Sequence, residues 1–393
     1  AADYLSKALQ ILERKAPRSR EYADCQEQLG NLARLENNYD LAVSRHQEAT
    51  AIRMQVSNDP LDQIRALITL GAIRLESGDL VQADTHYQAA LNMARQAAPA
   101  SLYEARCLRG LGDTCLRRGD LAAAEPALEQ ALKIFAATAP LTIDEATAQH
   151  LLGDLRRRQD RLQDALACCE RAVAAFEGQL EKLGGSREIA EAFAAEYAGF
   201  YKDVLELKLL VNDPRGAFDV LERFRARSLL AMLAERDLDF SRDVPAGLLE
   251  RLETARTRSR EVQDELMQLS PDREPEHVAE CQRLLAERRR EQALVWDEIR
   301  RESPHLMALR APETLTVDQV ADAMGRDTLF LSYAVSERTT HLFALLNGQL
   351  RVESFPLGRQ QVQEAVEYYL AMLSNPEDRK SVVEGKRVDL GGR

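Results

Sequence analysis

The alanines Ala1, Ala42, Ala83, Ala124 and Ala165 stand at a constant step of 41 residues, and Ala8, Ala49, Ala90, Ala131 and Ala172 keep the same step. A Leu-Gly pair repeats with them, at Leu29-Gly30, Leu70-Gly71, Leu111-Gly112 and Leu152-Gly153. A period held this strictly means one supersecondary unit stacked on copies of itself, each burying the face its neighbour would leave in water. Ala1 already occupies a register position and no Met precedes it, so the chain is expected to begin inside a unit.

Each unit reads as two amphipathic helices. In the second complete copy, Ile64, Leu67, Ile68, Leu70 and Ile73 share one face of a helix expected over 61–76. Ser77-Gly78-Asp79 breaks it, Gly suiting a left-handed helix end and Asp accepting from the orphan N–H groups of the next helix. A second helix then runs to about Ala97 with Ala83, Tyr87, Ala90 and Leu91 inward. The break recurs as Gly119-Asp120, Asn37-Asn38 and Gln159-Asp160. Pro17, Pro99 and Pro140 share the position that ends each second helix, with Asn58 in the remaining copy. Gly and Ala mark the closest helix crossings, where axes about 8–10 Å apart leave room for little more.

Gly71, Ala83, Tyr87 and Ala90 make this pattern resemble the tetratricopeptide repeat. The usual period is about 34 residues, so each unit here is longer by roughly two helical turns. The resemblance covers Ala1 to about Gly178 and implies an α-solenoid over 1–180, a partial unit followed by four complete ones. It assigns Gly30, Gly71, Gly112 and Gly153, with the ten register alanines, to packing between helices. It also implies a concave groove lined by first helices. The third complete unit would offer Arg106, Arg109, Asp113, Leu116 and Arg117, and the fourth Thr147, His150, Asp154, Arg157 and Arg158. The first would offer Asp24, Glu27, Asn31, Arg34 and Leu35. A groove cationic at one end and acidic at the other would suit an extended peptide with acidic residues, held through Arg106, Arg109, Arg117, Arg157 and Arg158 with His150 and Asn31. The other reading is a solvated helix face without a ligand.

Beyond the repeats, Ala217, Leu221 and Phe224 restore the spacing after an insertion around Leu183-Gly184-Gly185-Ser186, so a degenerate terminal unit is expected over 186–240. The stretch 245–303 is intensely charged, with Leu248, Leu252, Val262 and Leu266, then Val278, Cys281, Leu285 and Ile299, at helical spacing. It reads as an antiparallel helical hairpin broken at Ser270–Pro275, and Arg288-Arg289-Arg290, flanked by Glu287 and Glu291, as a solvated helix face. Strands are expected at 329–335, 341–346 and 350–355, the last two joined by Asn347-Gly348, a pair that tolerates positive φ at both positions. Helix returns over 360–373.

Glu222-Arg223-Phe224-Arg225-Ala226-Arg227-Ser228-Leu229-Leu230, the hairpin, and the strands and helix of Thr314–Leu373 together resemble the repeat-linked caspase-like family known as CHAT. The fold class is thus mostly α: a solenoid, a helical hairpin, and over 312–375 the start of an α/β caspase-like domain. The resemblance implies a cysteine protease, with a His/Cys dyad, regulated by its repeats. The dyad of that family lies further downstream, so no residue here is assigned a catalytic role, His341 included. The function expected is the protein-interaction and regulatory region of such a protease in bacteria. The alternative is a pure scaffold or adaptor in a signalling complex, with an RNA- or DNA-associated adaptor as a third reading, since some members of that family partner RNA-guided effectors. Residues 379–393 resemble a translated sequencing adapter, and the chain reads as a gene fragment.

Composition narrows the rest. Aromatics are only 5%, which disfavours a β-rich core, and a net charge of −12 argues against general nucleic-acid affinity. None of the six cysteines forms a CxxC pair, and none is read with a histidine at zinc-ligand spacing, so all are expected as small buried hydrophobes in a reducing, cytoplasmic setting. No apolar run is long enough for a membrane span, and no phosphate loop, metal motif or cofactor site is read from the sequence.

Overall fold

The recurring left-handed turn sets the architecture. Asn37, Gly78, Gly119 and Asp160, one repeat apart, have φ of 59°, 83°, 84° and 61°. Only Gly enters this region without steric cost, and Asn or Asp tolerates it through local hydrogen bonds. In a computed structural model of the chain, which describes residues 2–56, 59–182, 198–234, 245–269, 274–302, 314–325 and 327–374, the turn separates the two helices of every pair. Asp79 and Asp120 then cap the second helices, accepting from the backbone N–H groups of Gln82 and Ala123 at 3.1 Å. The described residues form 15 helices and three strands and divide into two compact units: 1–200 with 231–311, and 201–230 with 312–393. Asn58, the 183–186 insertion and the 379–393 tail lie outside the described residues.

The first unit opens with α1 (Ala2–Lys15). Four pairs follow: α2 (Arg20–Leu35) with α3 (Tyr39–Val56), α4 (Pro60–Glu76) with α5 (Leu80–Ala97), α6 (Leu102–Arg118) with α7 (Leu121–Thr138), and α8 (Ile143–Arg158) with α9 (Leu162–Lys182). Ala42, Ala49, Ala83, Ala90, Ala124, Ala131, Ala165 and Ala172 are all at most 1% exposed, between packed helices. Gly30, Gly71, Gly112 and Gly153 each face the side chain sixteen residues on: His46, Tyr87, Leu128 and Cys169. A Cβ at any of them would come within 3.0 Å of that side chain, so the bare Cα is what admits a large group at the crossing. Tyr87 is gripped twice, because Gly110 of the next pair meets the same ring. That second glycine stands one residue before the Leu-Gly register and is not part of its periodicity.

The hairpin belongs to this unit. Its helices α12 (Ala246–Gln268) and α13 (Pro275–Glu302) pack through Val262, Leu266, Leu269, Val278, Cys281 and Leu285. They also serve the end of α7, which has no basic residue in its last turn and leaves terminal carbonyls to be satisfied. Gln282 donates to the Ala137 carbonyl at 2.7 Å, Gln263 to Thr138 at 3.5 Å, and Arg289 to Pro140 at 3.4 Å. Arg289 is therefore not on a solvated face as its flanking glutamates suggested. Burial pulls its pKa below the ordinary arginine value, with Glu145 opposing. Arg288 pairs with Glu291 at 2.8 Å, and Arg290 is exposed.

In the second unit, α10 (Gly199–Leu210) and α11 (Pro214–Ala234) form a helix pair whose turn residue Asn212 again has positive φ, 62°. Its helix α11 packs against a sheet. Strands β1 (Leu329–Val335), β2 (Thr340–Leu346) and β3 (Gln349–Phe355) run antiparallel in the order β1-β2-β3. Asn347 and Gly348 close the β2–β3 hairpin with φ of 51° and 75°. Register places Phe330 and Ser332 beside Leu345 and Phe343, and Phe218 of α11 meets the rings of Phe330 and Phe343 at 6.1 Å. Arg225, from the segment resembling the caspase-like family, straps α11 to β1. It donates to Ser332 Oγ at 2.6 Å and to the Tyr333 carbonyl at 2.7 Å, on the strand that edges the sheet among the described residues. A capping box at Thr316 starts the short α14 (Val317–Ala323), and α15 (Arg359–Ser374) follows β3.

Candidate peptide-binding face

Among the described residues the first helices of successive pairs touch, α4 with α6 and α6 with α8, whereas the second helices α5, α7 and α9 make no comparable contact. Successive pairs therefore meet along the side of α4, α6 and α8, which forms a contiguous first-helix wall.

The structure assembles most of the sequence-derived groove residues on this wall, but as a charge network rather than as bare cations. Asp144, at the start of α8, accepts from Arg106 Nε and Nη2 at 3.0 and 2.7 Å and lies 3.4 Å from Arg109. Burial alone would raise the Asp144 pKa, yet the Arg109 and Arg106 guanidiniums more than reverse this and hold the carboxyl below its ordinary range. Arg117 bonds Asp113 at 2.9 Å and Arg158 bonds Asp154 at 2.7 Å, with Arg157 at 3.2 Å from the same carboxylate. His150 lies against Phe200, ring centroids 4.7 Å apart.

Arg117 and Arg158 share a second task that periodicity could have revealed. Arg117 donates to the Leu75 carbonyl at 3.4 Å and Arg158 to the Leu116 carbonyl at 3.0 Å, each reaching back 42 residues to the end of the preceding first helix. Such cations satisfy orphan carbonyls and the negative end of the helix dipole. One repeat earlier the position is Glu76, which pairs with Arg34 at 3.3 Å. In α2, Asp24 is held by Arg53 of α3 at 2.6 Å, and Glu27 pairs with the same guanidinium. The acidic start expected from Asp24 and Glu27 is thus neutralised by a second-helix arginine that groove positions alone do not include. Asn31 is half-buried and Leu35 exposed.

Chemically, such a wall exchanges acceptors. Arg106 and Arg109 are 35% and 26% exposed and spend only some of their N–H donors on Asp144. An incoming carboxylate can bond the remaining donors without stripping water from two naked charges.

Other chemistry-bearing groups sit elsewhere. All six cysteines are free. Cys107 is fully buried, and burial, aided by Glu104, pushes its thiol up to about 12. Cys25 and Cys115 are half-buried rather than buried as expected. In the second unit His341 is buried in β2, Nδ1 2.8 Å from Ser354 Oγ, and burial lowers its pKa. It borders an apolar cavity with Tyr201, Leu205, Val220, Phe224 and Tyr333. Residues 312–393 contain no cysteine that could serve it as a nucleophilic partner. Contrary to the expectation that no histidine stands at ligand spacing from a cysteine, Glu265, His277 and Cys281 bring their donor atoms together in the hairpin.

Comparison with known proteins agrees with the repeat geometry. The tetratricopeptide-repeat family model matches residues 62–137, the pairs α4–α5 and α6–α7. No curated protein matches the chain. Among solved structures, BtubC (BKLC) from P. vanneervenii is similar at 18% identity and a TM-score of 0.46, over 59% of this chain and 89% of that one. The apo form of RapI is similar at 16% identity and a TM-score of 0.40, over 72% and 90%. The Rap conjugation gene regulator of the plasmid pLS20, in complex with the Phr* peptide, is similar at 13% identity and a TM-score of 0.39, over 70% and 74%. No helix among the described residues is long and apolar enough to cross a membrane.

Proposed function

We propose that the stacked helix pairs of residues 1–182 form a protein-interaction module that takes an extended, acidic segment of a partner protein along the wall of α4, α6 and α8. The observation that supports it best is the Arg106–Asp144–Arg109 cluster, two partly exposed guanidiniums around one buried carboxylate. Arg117, Arg157, Arg158, His150 and Asn31 extend the contact along the wall. In the same reading the module is the regulatory region of a repeat-linked caspase-like cysteine protease. The Arg225 strap between α11 and β1 supports that arrangement, since it gives the family-like segment a defined place against the sheet. No residue of this chain is assigned a catalytic role. A scaffold without protease parentage is the alternative, and detection of a His/Cys dyad in the complete gene would decide between the two.

Fluorescence anisotropy with two sets of labelled extended peptides tests the module, one set rich in Asp and Glu and one with Asn and Gln in their place. Charge-assisted hydrogen bonds of about 1.5–3 kcal/mol predict at least a roughly tenfold preference for the acidic set. That preference is expected to vanish in Arg106→Glu/Arg109→Glu. Equal affinity for both sets, or an unaltered preference in the double variant, refutes the reading.

A further inference from the structure

Near the turn of the helical hairpin, three different donor types converge. His277 and Cys281 stand four residues apart on α13, so they share one helix face. Glu265 comes from α12, which runs antiparallel beside it. The imidazole nitrogen, the thiol sulfur and a carboxylate oxygen all lie within 4.8 Å of one another, and Glu265 Oε1 is already 3.0 Å from His277 Nε2. Bonds of about 2.3 Å to sulfur and about 2.0–2.2 Å to nitrogen and oxygen give a tetrahedron with edges of roughly 3.4–3.6 Å. Closing the three atoms onto one ion therefore asks for shifts of about 1 Å.

Burial is graded across the cluster. Cys281 is 3% exposed in the apolar seam beside Val278 and Leu285, while Glu265 and His277 are about half exposed. An ion held there would be anchored from below by sulfur and open to water above. Thiolate, imidazole and carboxylate together suit zinc-class ions. Calcium and magnesium, which favour all-oxygen shells, fit this set poorly.

We propose that Glu265, His277 and Cys281 bind a divalent zinc-class metal ion that pins the two hairpin helices together at their turn. On binding, the Cys281 S–H bond gives its proton to solvent and a sulfur–metal bond forms, with no change of oxidation state. Gln282, the next residue, holds the α7 carbonyl of Ala137, so the bound ion also steadies the grip of the hairpin on α7.

The test uses the full chain, stripped with a chelator and titrated with Co2+ as the probe. One equivalent is expected to raise a thiolate-to-cobalt charge-transfer band and tetrahedral d–d bands, both abolished by Zn2+. Cys281→Ala removes the charge-transfer band. Because Cys281 is buried and that variant can fail to fold, His277→Ala and Glu265→Gln, at exposed positions, carry the test independently. Each is expected to weaken Zn2+ binding at least roughly tenfold, as loss of a ligand or its support does, whereas Cys25→Ser leaves it unchanged. The absence of a saturable charge-transfer band, or affinities in His277→Ala and Glu265→Gln equal to that of the unsubstituted chain, overturns the proposal.

Discussion

Replacing Gly110 by Ala probes the packing logic at its most demanding point. Alanine is the better helix former, so in isolation the change stabilises α6 by roughly 0.5–1 kcal/mol. Here the new methyl would fall within 3.0 Å of three ring atoms of Tyr87. The ring has little room to retreat: it is 4% exposed, and the backbone of Gly71 also approaches it so closely that a methyl there would meet the ring at 3.0 Å. Overpacking of a tight core costs about 1–3 kcal/mol, and a buried ring approached by two glycines belongs at the upper end. The net expectation is a loss of about 2 kcal/mol. Gly247→Ala in α12, where nothing lies within 4 Å, is the control and should gain the helix-propensity term. Denaturant unfolding followed by far-UV circular dichroism reads both changes, and hydrogen exchange across α5 and α6 localises the effect. Combined with Tyr87→Leu, Gly110→Ala should recover most of its loss, a coupling of about 2 kcal/mol. A Gly110→Ala protein as stable as the unsubstituted chain, or a loss that persists without the Tyr87 ring, would show that the ring does not set the limit at this crossing.

Further outcomes follow from the charge network. The folded carboxyl of Asp144 titrates below its unfolded value of about 3.9, so its stabilisation is present above that pH and is lost as pH falls through the folded value. Asp144→Asn should flatten the acid limb of the stability–pH curve and cost about 2 kcal/mol at neutral pH, because Arg106 and Arg109 lose their shared partner; an acid limb of unchanged slope contradicts the assignment. Arg289→Ala should cost about 1–2 kcal/mol and speed hydrogen exchange in the last turn of α7, since Pro140 and Gln263 lose a donor. Arg290→Ala, which removes none of these bonds, should stay within about 0.5 kcal/mol, and equal effects from the two would remove Arg289 from the interface.

Legibility in the sequence tracks periodicity. The crossing alanines, the Leu-Gly glycines and the left-handed turn residues recur every 41 positions because every unit meets the same steric demand. Gly110 escapes notice because only one unit carries a tyrosine at the crossing. The units with His46 and Leu128 need no second glycine and have Thr69 and Leu151 in its register. Groove positions are legible as positions, not as electrostatics. Arg117 and Arg158 fall where a ligand-facing residue is expected, and the reach to the Leu75 and Leu116 carbonyls depends on how neighbouring helices stagger. Arg289 shows the limit of local charge pattern. Glutamates on either side suggest water, while the α7 terminus, some 150 residues away in the chain, supplies the true partner. The Glu265–His277–Cys281 cluster needs both helices of the hairpin in register before its third donor arrives, and a search for CxxC spacing passes over it.

If the first-helix wall receives the partner, hydrogen–deuterium exchange on the full chain, with and without a saturating acidic peptide, will show new protection concentrated in α4, α6 and α8 and little change in α5, α7 and α9. Protection confined to the second helices, or to residues 312–375, would contradict it.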